Sequence, residues 1–285
     1  MDIKATDVKE LRQKTGAGMM DCKRALVQAE GDSSKAERIL KELGLAAAGK
    51  RSGRATNEGR VFSRVTDTQG ILLELSCETD FVAKADDFTT LGEQLVDRIL
   101  ADGLRDRTEA LEAYVQDAIG RIKENIALRR FKCIEAAAQD LLVEYVHGIG
   151  RIGVIVKARL SDAALKEQAR VQEVIFDMAL HTAAFAPLFL TRDQIGEDYL
   201  AEQEQVFRKQ AEKLDKPEKV LAGIVKGKLS KHLSEICLLD QAFVKDESLK
   251  VKQVLQNLGK EVGGEVVIAD FLYYKVGEGG TNGTG

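Results

Sequence analysis

The sequence predicts an α+β fold: a three-helix N-terminal module, a core of two related α+β subdomains with antiparallel sheets, and an antiparallel helical hairpin inserted in the second. Three observations carry this reading. Apolar residues in the first 45 positions recur at three- and four-residue spacing between glycine-containing breakers. Two hairpin signals, at residues 61–77 and 141–158, are each followed by helical patterns. Two long polar helical stretches with narrow apolar stripes meet at Asp215-Lys216-Pro217.

Taken in order, Val8 and Leu11 mark the first helix, with Asp7 and Glu10 spaced as a capping box. Met19, Cys22 and Leu26 mark the second, after the breaker Thr15-Gly16-Ala17-Gly18. The third runs from Asp32 as N-cap through Ala36, Ile39, Leu40 and Leu43, and Gly44 is placed to end it. Residues 1–45 form this module, and the Gly/Ala/basic stretch 46–60, which has no apolar period, reads as a linker.

The first core subdomain, 61–140, opens with a strand at 61–66, a turn at Asp67-Thr68-Gln69-Gly70 and a strand at 71–77. Phe88, Leu91, Leu95 and Ile99 then share one helical face, and Leu111, Val115, Ala118, Ile122 and Ile126 another. The second, 141–276, repeats the order with strands at 141–147 and 151–158 and a helix carrying Val171, Val174, Ile175 and Met178. The inserted hairpin spans about 193–232, with Pro217 in the first turn of its returning helix. A helix at 248–258 and a strand at 265–276 complete the subdomain, and the Gly/Thr/Asn-rich residues 277–285 read as a flexible tail.

Composition narrows the function. With 44% hydrophobic and 31% charged residues the chain has the makeup of a globular protein, and its apolar stretches fall far short of the ~20 residues that a membrane span needs. The polar start Met1-Asp2-Ile3-Lys4 lacks a signal peptide's apolar core, so the expected location is the cytoplasm. Cys22, Cys77, Cys133 and Cys237 have no metal-ligand spacing and read as reduced core residues, and His147, His181 and His232 form no metal pattern. No nucleophile elbow is present, so the expectation is a binding protein, not an enzyme, without catalytic residues or metal ligands.

Charge is uneven: residues 1–60 hold 13 Lys and Arg against 9 Asp and Glu, leaving the remainder acidic in a chain of net charge −4. An acidic body argues against general nucleic-acid binding, although the basic run Gly49-Lys50-Arg51-Ser52-Gly53-Arg54 leaves an RNA- or ribosome-associated protein as the alternative. Two glycine strings mimic nucleotide sites. In Gly44-Leu45-Ala46-Ala47-Ala48-Gly49-Lys50, Arg51 stands where a magnesium-binding hydroxyl belongs and no strand precedes. In Gly148-Ile149-Gly150-Arg151-Ile152-Gly153 the following Val154-Ile155-Val156 is a strand where a pyrophosphate site needs a helix N-terminus, so these glycines read as a hairpin turn.

Two longer strings are more specific. Leu11-Arg12-Gln13-Lys14-Thr15-Gly16-Ala17-Gly18-Met19-Met20-Asp21-Cys22-Lys23 and Cys77-Glu78-Thr79-Asp80-Phe81-Val82-Ala83-Lys84 closely resemble elongation factor Ts. Glu124-Asn125-Ile126 with Arg129-Arg130, His147-Gly148 through Val154, Gln241-Ala242-Phe243-Val244 and Val276-Gly277-Glu278-Gly279 extend the likeness over nearly the whole chain. The resemblance implies a ubiquitin-associated-like N-terminal module and a guanine-nucleotide exchange factor for elongation factor Tu that needs no cofactor and binds no nucleotide itself. It further implies that Thr79, Asp80, Phe81 and Val82 enter the GTPase domain beside the magnesium site. Arg12, Met19, Met20 and Lys23 would grip a neighbouring helix of that domain, with His147 and Gly148 as a secondary contact. Assembly as a homodimer of heterodimers is open on this reading, and the contact that the final helix of many family members supplies is not expected here.

The residues themselves leave choices open. Phe81 is either an interface anchor or a core ring under the next helix; Asp80 is either a group acting on the magnesium shell or a helix N-cap. Met19 and Met20 are adjacent, so one helix cannot bury both on one face, and one of them is expected to be available to a partner.

Overall fold

The computed structural model describes residues 3–212, 214 and 216–278. The N-terminal module is a bundle of α1 (Ala5–Thr15), α2 (Met19–Gln28) and α3 (Ser33–Arg51) around Val8, Leu11, Cys22, Ala25, Leu26, Ala29 and Ala36. Asp32 caps α3 by accepting the Lys35 N–H at 3.0 Å. Helix α1 begins too early for a capping box at Asp7: its N-cap is Lys4, with no side-chain cap.

Gly44 does not end α3, which continues seven residues further to Arg51. The glycine serves packing instead. A Cβ on Gly120 of α6 (Glu109–Ile122) would lie 3.1 Å from the Gly44 Cα, so two glycines let the helix backbones touch where they cross. Ala48, on the extension, is buried against the first core. Much of the expected linker is therefore helix, and the phosphate-loop mimic lies inside it. The rest is pinned: Asn125 Nδ2 donates to the Arg54 carbonyl at 2.7 Å, Arg129 Nη2 to that of Thr56 at 2.8 Å, and the Ser76 hydroxyl to Thr56 Oγ1 at 2.9 Å.

The first sheet pairs β1 (Glu58–Val65) and β2 (Gln69–Cys77) as a hairpin. The chain then forms α4 (Asp80–Ala83), α5 (Asp86–Ala101) and α6 before β3 (Ile126–Glu135) returns antiparallel along the other side of β2. Ile126, read as the end of a helical face, begins this strand. Lys123, in the left-handed region at φ 70°, stops α6 and turns the chain.

The second sheet repeats the plan with β4 (Asp140–His147) and β5 (Ile152–Leu160). There follow α7 (Ala169–Phe185), the hairpin helices α8 (Glu197–Glu212) and α9 (Glu218–Ile236), and the short strands β6 (Ala242–Phe243) and β7 (Asp246–Lys250). Then come α10 (Val251–Val262) and β8 (Val266–Lys275), which pairs antiparallel with β5. Ser248, expected in a helix, sits in β7, where its hydroxyl donates to Asp246. Pro217 is the N-cap of α9, just outside its first turn. The expected tail lies, from residue 279 onward, outside the described residues.

Both sheets thus have the third strand beside the second, and each carries a register shift at the sixth residue of its central strand, after Glu74 and after Lys157. Alternation along the strands fixes the layers. Ile71, Leu73, Leu75 and Cys77 face α5 and α6, while Val154, Val156 and Ala158 face α7 and α10. The opposite faces meet sheet against sheet through Val61, Leu72, Ile134, Leu142, Ile155, Leu272 and Tyr274. Gly153 is needed there, because a Cβ would lie 2.4 Å from Val61 Cγ1. Glu74, buried between the sheets, accepts from Arg130 Nε at 2.7 Å and from the Gly277 N–H at 2.9 Å, tying the chain beyond β8 to the first sheet.

Candidate functional site

Strand β2 ends in a fully buried Cys77, and the chain turns out of the sheet at Glu78 and Thr79. Thr79, not Asp80, is the N-cap of the single-turn α4, its hydroxyl accepting from the Val82 N–H at 3.4 Å. Ala83 is buried and Val82 packs on the first core, so the turn is anchored from below. Phe81 points the other way and is 82% exposed. A core role for this ring is thereby removed. Asp80 Oδ2 lies 2.6 Å from Lys84 Nζ, and this hydrogen bond holds its carboxyl below the usual range.

The turn is gripped by a carboxylate that lies between α6 and β3. Glu124 Oε2 accepts the N–H groups of Glu78 and Thr79 at 3.1 and 3.0 Å, and its Oε1 accepts the Thr79 hydroxyl at 2.6 Å. Reciprocally, Glu78 Oε1 accepts the Asn125 N–H at 2.6 Å while Arg54 stands 3.3 Å away. Those partners, the Asn125 N–H first, depress the Glu78 carboxyl. Burial, with the Glu124 charge nearby, pushes the Cys77 thiol up to about 12, so it remains a neutral core group.

Arg12, Met19, Met20 and Lys23 are exposed on the N-terminal bundle. Both methionines, not one, face outward, at 55% and 65% exposure, because Cys22 and Leu26 supply the buried face of α2. Lys123 Nζ reaches Asp21 of α2 at 3.5 Å, next to the Glu124 that grips the Phe81 turn. His147 and Gly148 lie exposed at the tip of the β4–β5 hairpin, where Gly148 and Gly150 take φ values of 61° and 76° and build the turn expected of that glycine string. The Tyr145 hydroxyl is 2.9 Å from His147 Nδ1.

All three elements lie at one end of the double sheet. Glu58, opposite Cys77 in register, is 2.7 Å from Arg151, which follows the β4–β5 turn. The Val61 N–H donates to the Gly150 carbonyl at 2.7 Å. Sequence reasoning gave no role to Glu78, Lys84, Lys123 or Glu124. A carboxylate two residues past a helix end has no periodic signal, and its partners are some 45 positions away. Among the described residues no group of three or more His, Cys, Asp or Glu gathers as a metal site, and no helix is long and apolar enough to cross a membrane.

Residues 78–278 match the family model described as "Elongation factor TS". The chain is 43% identical over 279 residues to the elongation factor Ts of Treponema denticola, covering 98% of this chain and 100% of that one. It is 44% identical to that of Borrelia hermsii over 97% of this chain and 100% of the relative, and 40% identical to that of Borreliella burgdorferi over 96% and 99%. With the family model spanning well over half of the sequence and relatives aligned almost end to end, the chain belongs to the elongation factor Ts family of translation elongation factors.

Proposed function

We propose that this chain binds elongation factor Tu carrying GDP and speeds release of the nucleotide, acting by binding alone and without a catalytic residue or cofactor of its own. The observation that carries the proposal is Phe81, an aromatic ring 82% exposed at the apex of a turn that is otherwise anchored on every side. An isolated, rigidly presented aromatic is the kind of group that fills a partner's pocket. Phe81 inserts into the GTPase domain, and the ionised Asp80 beside it disturbs the water and ligand shell of the nucleotide-bound magnesium. Thr79 and Val82 hold the turn. Arg12, Met19, Met20 and Lys23 engage a neighbouring helix of the same domain, adaptable thioethers flanked by cations. His147 and Gly148, at the same end of the double sheet, supply the secondary contact.

The thermodynamics require no preference for GTP. A factor that binds the empty GTPase more tightly than the loaded one is, reciprocally, displaced by nucleotide of either kind. The cellular nucleotide ratio then sets the direction, and the cytoplasm is the place where such exchange is needed. The RNA-associated reading gains no specific observation, since Arg54 of the basic run is engaged by Glu78 and its carbonyl by Asn125. The test is release of labelled GDP from elongation factor Tu with substoichiometric chain present, alongside GDP binding by the chain alone. Faster release with no saturable GDP binding by this chain is expected; unchanged release would overturn the proposal.

A further inference from the structure

We propose that Glu124 is a positioning residue for nucleotide exchange, setting the pose in which Phe81 and Asp80 meet the GTPase; this rests on the function proposed above. The case starts from hydrogen-bond direction. The Thr79 hydroxyl has one proton, and at 2.6 Å it goes to Glu124 Oε1. The hydroxyl's lone pairs are then left for the Val82 N–H, the bond that caps α4. With Oε2 also holding the N–H groups of Glu78 and Thr79, one carboxylate fixes both the exit of the chain from β2 and the start of the helix turn carrying Phe81. Remove it and three donors lose their acceptor at once. The turn keeps its apolar footing through Val82 and Ala83 but loses what fixes its rotation.

The same short segment also fixes the other elements that face the partner. Lys123, at φ 70°, reaches Asp21 on the helix of Met19 and Met20, and the Asn125 amide holds the carbonyls of Ser52 and Arg54, where the chain leaves the N-terminal bundle. Residues 123–125 therefore act as a jig between the bundle and the Phe81 turn. A two-point grip needs its points at a fixed spacing, and errors of about 1 Å in such a constellation cost on the order of tenfold to a hundredfold in rate.

The experiment compares the full wild-type chain with Glu124→Ala and Glu124→Gln. It measures stimulated GDP release from elongation factor Tu across factor concentration, thermal melting, and hydrogen exchange at the Glu78 and Thr79 amides. Glu124→Ala is expected to lose protection at those two amides and to lower the maximal stimulated rate by about tenfold. Its melting transition should remain cooperative, and the concentration for half-maximal effect should change less than the rate. Glu124→Gln retains an oxygen for the two backbone donors and should restore most of both readouts. Wild-type exchange by Glu124→Ala, or a loss that merely follows its unfolded fraction and is not recovered by Gln, would overturn the positioning role. Absence of stimulation by the wild-type chain would overturn the proposed function, and with it any role of Glu124 in exchange.

Discussion

Replacing Phe81 by alanine tests the proposed function at its centre, because stability and exchange should part company. The ring is 82% exposed, so folding removes only about a fifth of its area from water. If full burial of a phenylalanine contributes ~1.5–3 kcal/mol, that fifth is worth ~0.3–0.6 kcal/mol. Alanine's better helix propensity returns roughly 0.5 kcal/mol of it in α4. The expected net change is close to zero, and a melting temperature within about 2 °C of wild type. In the complex the ring becomes a buried anchor, whose truncation costs about 2 kcal/mol or more, close to a thirtyfold loss of affinity. Melting curves, complex affinity and labelled-GDP release on one protein preparation separate the two effects. A folded variant with normal exchange would refute the role of this turn, and a loss of stability near 3 kcal/mol would refute the reading of the ring as a surface group.

Asp80→Ala should slow maximal GDP release with little change in affinity or melting temperature, since the helix cap belongs to Thr79, whereas Thr79→Ala should cost about 1 kcal/mol of stability; equal melting losses in both would contradict this division. His181, fully buried, accepts the Val244 N–H at Nδ1, which leaves its proton on Nε2 facing Gln241 Oε1 at 2.9 Å. Burial holds it below its usual pKa, partly offset by the Gln241 hydrogen bond. The unfolded chain therefore takes up a proton near pH 6.5 before the folded one does, so this contribution is complete above about pH 6.5 and declines as pH falls below it. Melting temperatures from pH 8 to 5 should show that decline, and it should be absent in His181→Gln; parallel profiles would exclude His181 as the source. Excising residues 201–228 in favour of a short Gly/Ser link should leave one cooperative transition of the core. That cut spares Ile195, Tyr199, Leu200 and Leu229 of the cluster at the hairpin base, which an excision of 193–232 would remove. Among the described residues of the cut only Ala211 and Val225 are buried, and an aggregated product would refute the assignment.

Elements with strong local periodicity were legible in the sequence. Both hairpins, the helix faces at Phe88 and Val171, and the Asp32 cap stand where spacing put them. The failures share a cause in tertiary contact. Gly44 has the look of a helix stop, and only the approach of Gly120 shows that it is a helix crossing. Ile126 continued a helical spacing, and only the left-handed Lys123 breaks it. At the site, residue strings located the turn, but local pattern favoured a buried Phe81. Its exposure depends on Val82 and Ala83 taking the inward positions and on a carboxylate some 45 residues away.

The separation of β5 from β8 bears on how the chain acquires its shape while being synthesised. Strand β3 follows β2 by about fifty residues, but β8 follows β5 by about a hundred. At ~5–20 residues per second the free edge of β5 waits roughly 5–20 s for its partner, against the microseconds a hairpin needs to form. During that interval a strand bearing Val154, Ile155 and Val156 is open to pairing with any other extended segment. The nascent chain is thus most vulnerable in its second half, and substitutions that hasten or delay α10 and β8 should alter yield in the cell far more than they alter the stability of the finished protein.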